Sequence, residues 1–438
     1  MRSETQSAGL RLLTVLGVLL SSSFRISFAE DSAEPGPYSP DRDQLWNRLH
    51  RGLFLRTDAA SRQHIHSTDP LLYRGGKFLL TGEPHRKAVS LLDEFLKQDA
   101  KAVASQSLVR RAMLQRDLWG AFDYVAWYPD EWVHRSRFEP AAMKLRSRLA
   151  RAIGRLSLTK RELTELQENY AAAVASGDFA LEHDSENPKK PFLPADLFDP
   201  KGNWVRFRDP VIKTAEQNHF QGSGGRAIHL TFLRLPEGRE ATQKYLNEVS
   251  RRTGSDKQFP VGTMAALVRR AIVINQAGRM QPVPITELVQ IRVYRRIPED
   301  PKANFHGDLG EQDVYEFVLD REKLFAGKHG LRAVTPDEPS VSFFRKEGDP
   351  FVPKHRTRLG ISETQMQSCI QCHQGPGVYS MRSMQASLHR DVSEAYRTYS
   401  WNVDHKGPIH AKARRFDWGL LQGLLEANPS PQSNSQSN

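Results

Sequence analysis

Cysteine is nearly absent from this 438-residue chain: there are two, and both fall inside one five-residue stretch, Cys369-Ile370-Gln371-Cys372-His373. A fold of this length with so few thiols does not rely on disulfides, so its stability must come from a buried core. Structural zinc fits poorly, because such sites take two to four thiolates and no second cysteine pair completes one. No apolar run after the N-terminus approaches the ~20 residues that a membrane-spanning helix needs. The sequence also lacks a Gly-x-Ser-x-Gly elbow and a His-Glu-x-x-His zinc helix, which leaves hydrolytic readings with little support. Gly222-Ser223-Gly224-Gly225 is rich in glycine but has neither the Lys-Ser/Thr ending of a P-loop nor the spacing of a dinucleotide fingerprint, so it reads as a connection.

What is present is an ordinary globular composition, 39% hydrophobic and 26% charged, with length for two or three domains. The N-terminus reads as a secretory signal peptide over residues 1–29. Arg2 and Arg11 flank a polar start, Leu12 to Leu20 form a compact apolar core, and Ser27-Phe28-Ala29 offers small residues for cleavage. An uncleaved anchor is the alternative. Export, to a periplasm or its equivalent, is the expectation, with no membrane span after cleavage. Removing three basic residues and one acidic one with that peptide lowers the formal net charge from +11 to +9. On an exported protein that surface suits an acidic redox partner, an anionic surface or a negatively charged substrate better than nucleic acid; solubility alone is the plainer account.

The chain is expected to be α+β and multidomain. Residues 30–44 read as a flexible leader, 45–185 as a helical domain, 186–355 as a mostly antiparallel, β-rich domain, 356–427 as a short helical segment that carries the two cysteines and 428–438 as a disordered tail. Leu114, Leu118, Phe122 and Val125 recur at helical spacing, as do Leu145, Leu149, Ile153 and Leu156. Pro140 suits a first helical position, and Thr159 with Glu162 predicts a capping box for a helix running through Leu163, Leu166 and Tyr170. Trp119, Phe122, Tyr124, Trp127, Tyr128 and Trp132 are expected to pack as core, and Lys144, Arg146, Arg148, Arg151 and Arg155 to form a solvated face. Strands are predicted at Trp204 to Phe207, Ile228 to Phe232, Leu267 to Ile274, Val289 to Val293, Val314 to Leu319 and Val341 to Phe344. Gln276-Ala277-Gly278 makes a hairpin connection, and a helix covers 238–252. In these patterns Gln290 and Arg292 alternate with apolar neighbours, as on a half-buried strand. His64, His66 and His85 lack an accompanying carboxylate pattern and read as surface histidines rather than metal ligands.

The chemistry is concentrated at Cys369 to His373. Two thiols three residues apart can each form a thioether to one edge of a porphyrin, and the adjacent imidazole can bind its iron. A local redox disulfide remains the second reading, and it leaves His373 unexplained. Ser362 and Gln365 make a capping box for a helix leading into the motif, and Gly375-Pro376-Gly377 ends any helix just beyond it. Residues 362–377 resemble the haem-attachment region of c-type cytochromes. The resemblance implies one covalent haem c, Cys369 and Cys372 as its thioether residues and His373 as the proximal ligand. It covers a small part of the chain and does not identify a class, since the last methionine, Met384, lies only 11 residues past His373. Candidate sixth ligands are Met381, Met384, His389, His405 and His410, with an open iron as the alternative. Methionine or histidine there suits electron transfer, whereas an open position admits peroxide or a gas and calls for a distal group such as Arg382, His389, Arg390, His405 or His410. An electron carrier, a haem oxidoreductase or sensor, and a non-haem binding protein with a local disulfide are thus the three functional readings.

Overall fold

The computed structural model describes residues 37–57, 63–65, 78–126, 135–207, 224–251, 257–299, 310–338, 375–382 and 406–428. Within them the chain is α+β: a layer of helices packs on one face of a six-stranded antiparallel sheet. In chain order the elements are α1 (Leu45–Phe54), β1 (Leu55–Thr57), β2 (Gln63–Ile65), α2 (Gly82–Lys97), α3 (Ala100–Ala104), α4 (Leu108–Ala126), α5 (Arg135–Arg155), α6 (Lys160–Thr164) and α7 (Asn169–Ala175). Then come β3 (Val205–Phe207), β4 (Ala227–Arg234), α8 (Arg239–Arg251), β5 (Met264–Ile274), β6 (Met280–Arg296), β7 (Glu311–Leu319), α9 (Arg321–Phe325) and β8 (Leu331–Ala333). Three helices close the series: α10 (Val378–Arg382), α11 (Lys406–Ala413) and α12 (Phe416–Glu426).

The sheet is a meander in which each strand pairs with the next, β3 through β8. The predicted hairpin joins β5 to β6: Gly278 sits at φ +69, and the Asn275 N–H donates to the Arg279 carbonyl at 2.9 Å. Pro282 and Pro284 lie in the part of β6 that β7 does not pair, where a missing N–H is tolerated. One continuous core runs from the helices into the sheet, with Leu118, Phe122, Leu149 and Ile153 joining Phe232, Val268, Ile291 and Phe317. It crosses the position near residue 185 where the sequence changes texture. Helix α4 lies between α1, α5 and β5 and is buried from Arg111 to Ala126, which explains why polar residues as well as apolar ones occupy its interior positions. Trp119, Phe122 and Tyr124 are core residues, as expected; Trp127, Tyr128 and Trp132 lie outside the described residues, as does the strand predicted at Val341 to Phe344.

Several local expectations need correction. Tyr38, placed in the leader, is 2% exposed and bonded to Asp117, so packing begins before Leu45. Pro140 falls inside α5 rather than at its first position, where its ring nitrogen cannot donate a backbone bond and its ring crowds the preceding turn. The capping box forms, with Thr159 N–H to Glu162 Oε2 at 2.7 Å and Glu162 N–H to Thr159 Oγ1 at 3.1 Å. The helix it starts nevertheless stops at Thr164 and a second one begins at Asn169. Asn169 explains the break: its buried side chain clamps the backbone of Thr286 on β6, donating from Nδ2 at 3.0 Å and accepting at Oδ1 at 2.7 Å. The basic face of α5 is only partly solvated. Arg146 is buried against Glu139, Arg148 pairs with Asp93, and Arg155 donates to the Gln98 carbonyl, while Lys144 and Arg151 are exposed.

Candidate functional site

Cys369, Cys372 and His373 lie outside the described residues, as do Ser362, Gln365, Met384, His389, Arg390 and His405. The chain is described again from Gly375, two residues beyond His373, and there it is fully packed. Gly375 to Ser380 are all buried, and Val378 and Tyr379 join a second core on the sheet face away from the helical layer. That core is built from Val205, Phe207, Leu233, Phe259 and Tyr294 on the sheet side and Tyr245, Leu246 and Val249 of α8.

Side-chain amides pin this segment. Val378 N–H donates to Gln258 Oε1 at 2.9 Å, and Ser380 Oγ donates to Gln312 Oε1 on β7 at 3.1 Å. Gly377 holds φ +53, and a Cβ there would run into Gln258 Oε1. The left-handed backbone favours glycine there, and a side chain would also displace the Gln258 amide from Val378. The turn closes through Tyr379 N–H to Pro376 O and Ser380 N–H to Gly377 O.

Gln290 and Arg292, which alternate with apolar residues on β6, are buried at 7% and 6% exposure. The half-buried strand expected from that alternation is thus covered on both faces. Among the described residues seven lysine or arginine side chains are buried. Six meet a carboxylate: Arg111 with Glu162, Arg116 with Glu287, Arg146 with Glu139, Arg226 and Lys412 with Asp123, and Arg321 with Asp117. Arg292 does not. Its Nη1 donates to Gln312 Oε1 at 3.1 Å, the same oxygen that accepts from Ser380, and its Nη2 is buried with no hydrogen-bond partner among the described residues. Beside it, burial raises the Tyr294 hydroxyl above its ordinary value, with the Arg292 charge and Ser380 pulling the other way.

The matched charges lie on the opposite side of the sheet. Asp117 of α4 accepts from both terminal nitrogens of Arg321 at 2.6 Å and from the Tyr38 hydroxyl, with His50 Nε2 3.8 Å away. Burial favours the neutral acid, but the Arg321 charge and its hydrogen bonds outweigh that and hold Asp117 below the ordinary carboxylate range. Burial pushes Tyr38 well above its ordinary value. Asp123 accepts from Arg226 and from Lys412 of α11, and Lys412 also donates to Asp417 at 2.8 Å, which fastens the two C-terminal helices to α4. These sets lock elements together.

Of the remaining candidates, Met381 and Arg382 end α10, where only the backbone is described, and His410 is exposed on α11. His64 lies on β2, paired through its backbone with Arg56; His66 is outside the described residues. His85 is committed through Nδ1 to the Leu79 carbonyl at 2.8 Å. Among the described residues no three His, Cys, Asp or Glu side chains gather as a metal site, and no helix is long and apolar enough to cross a membrane. No protein-family model, curated protein or solved structure matches the chain.

Proposed function

We propose that this chain is an exported, monohaem c-type cytochrome-like protein that transfers electrons. The observation that carries the reading is Cys369-Ile370-Gln371-Cys372-His373: both cysteines of the chain, at the spacing of haem attachment, followed at once by a histidine. Cys369 and Cys372 would hold the porphyrin by thioethers, and His373 would ligate its iron. When bound, the haem supplies a one-electron couple.

The donor set fits that group. Two thiols and an imidazole supply the attachment, and the chain resumes after Gln374 in a buried turn. The packing of Gly375 to Ser380 supports the reading as well, because a redox centre held near a rigid wall reorganises less than one on a free tether. The candidate sixth ligands remain Met381, Met384, His389, His405 and His410. An acidic redox partner suits the basic surface.

The test is expression of the full chain with c-type maturation machinery. Haem should remain with the polypeptide on a denaturing gel, and the spectrum should be low-spin and indifferent to carbon monoxide. Cys369→Ala with Cys372→Ala should abolish covalent attachment, and His373→Ala should alter the spectrum. A haem-free polypeptide after maturation would sink the reading. A high-spin spectrum that responds to carbon monoxide or peroxide would move it to a haem oxidoreductase or sensor.

A further inference from the structure

The outer side of the helical layer carries more positive charge than its own carboxylates answer. Helix α2 lies between α1 and α5, and two open hollows flank its exposed side. One, of about 310 Å³, is lined by Arg48 and Arg51 of α1 with Lys87 of α2. The other, of about 510 Å³, is lined by Arg86 and Lys97 of α2 with Lys144 of α5. Three carboxylates share these walls, and each has its cation: Glu94 meets Arg48 at 2.8 Å, Asp93 meets Arg148 at 2.8 Å, and Asp43 lies 3.7 Å from Arg51. Arg86, Lys87, Lys97 and Lys144 are exposed and have no ion-pair partner among the described residues. Ser90 lines both hollows. It is three or four residues from Arg86 and Lys87 on one side and from Asp93 and Glu94 on the other, so its small side chain makes a saddle on that face of the helix.

We propose that this saddle docks an extended acidic segment of a partner protein, which crosses α2 at Ser90 and sets a carboxylate in each hollow. The inference locates the acidic partner of the reading above and rests on that reading for the partner's redox role, though not for the contact itself. A helix with its side chains is about 10 Å across and an extended chain covers about 3.3 Å per residue, so carboxylates three residues apart reach both hollows. Asp93 and Glu94 beside the crossing disfavour a uniform polyanion, whereas a protein segment can place neutral residues there. A flat bilayer does not follow a concave saddle, and the apolar residues beneath this one, Val89 and Leu91, are buried.

The experiment uses the full-length protein with the peptide Glu-Gly-Ser-Glu-Gly-Ser-Glu-Gly as probe. Carbodiimide couples a carboxylate to a lysine amine with loss of water, and mass spectrometry locates the product. At low salt, coupling at Lys87, Lys97 and Lys144 should exceed that at the exposed Lys190 and Lys328 by about fivefold, the worth of two surface ion pairs. The preference should vanish in 1 M salt, where the screening length is about 3 Å. Ser90→Tyr, which fills the saddle without changing a charge, should abolish it, and Arg86→Glu should lower coupling at Lys97 and Lys144. Even coupling over the exposed lysines, or a preference unmoved by both variants, overturns the seat. So does equal preference with Glu-Glu-Glu-Gly-Ser-Gly-Ser-Gly, which cannot span the saddle. Sedimentation with phosphatidylglycerol vesicles that Arg86→Glu abolishes would give the face to a membrane and overturn it as well. A native chain that lacks covalent haem yet couples the probe as expected loses only the haem reading; a haem-loaded chain that couples it evenly loses only the seat.

Discussion

Against helix α4 the sheet and its flanking segments bury their charges in matched sets, Arg116 with Glu287, Arg226 with Asp123 and Arg321 with Asp117, whereas the opposite face buries Arg292 beside an amide. On the first face both partners come from elements far apart in sequence, so each pair records which elements must meet. Such a pair adds little net stability over well-packed apolar residues, but removing one member strands the other. The second face holds Arg292 next to a segment that glycine and two amides pin in place. The first arrangement ties distant elements together by charge, while the second does so through neutral amides.

The widest gap between the faces should follow loss of Asp123. Asp123→Ala removes the carboxylate that Arg226 and Lys412 share and leaves Asp417 to Lys412, and urea unfolding should show a loss of the about 3–5 kcal/mol typical of a broken buried pair. Next comes a matched comparison, Arg321→Met against Arg292→Met, made in the full chain with Cys369→Ala and Cys372→Ala. The first leaves Asp117 buried and unpaired and should cost about 3–5 kcal/mol. The second forfeits one hydrogen bond to a neutral amide and should cost about 1 kcal/mol or less. Equal losses would erase the distinction between the faces.

Gly377→Ala acts on the second face alone. A side chain at φ +53, aimed at Gln258, should cost about 1–3 kcal/mol in the same measurement and loosen Gly375 to Ser380, read as faster amide exchange at Val378. The smallest effect concerns pH. Asp117 ionises more readily in the fold than in the unfolded chain, so its contribution is fully present above the ordinary aspartate value of about 4 and is lost as pH falls below it. Asp117→Asn should flatten that acid limb of the stability curve, and Arg292→Met should leave it unchanged.

Much of the fold was legible in local pattern. The strands at Ile228, Leu267, Val289 and Val314, the Gln276-Ala277-Gly278 hairpin and the Thr159–Glu162 box each rest on residues within a few positions of one another. What escaped depends on distant partners. The break at Asn169 is set by Thr286, the order at Tyr38 by Asp117 and Arg321, and the burial of Arg146 by Glu139 and the packing of α5. Alternation on β6 identified a strand, yet alternation alone cannot tell a wet second face from one that is covered. The burial of Gln290 and Arg292 is therefore not visible in that pattern. A signal was present in Tyr294 and Pro376-Gly377-Val378, an aromatic and an apolar turn that need somewhere to pack, but nothing in sequence spacing joins them across some 80 residues.

The sheet is widest in the middle and narrow at its margins: β6 has 17 residues, while the edge strands β3 and β8 have three each. Short margins expose few unpaired amides and carbonyls, which guards against edge-to-edge growth in a crowded compartment. They also constrain encounter. Among the described residues neither margin offers a long strand for a partner to extend, which favours recognition through side chains on the faces and loops, where association can be brief and release fast.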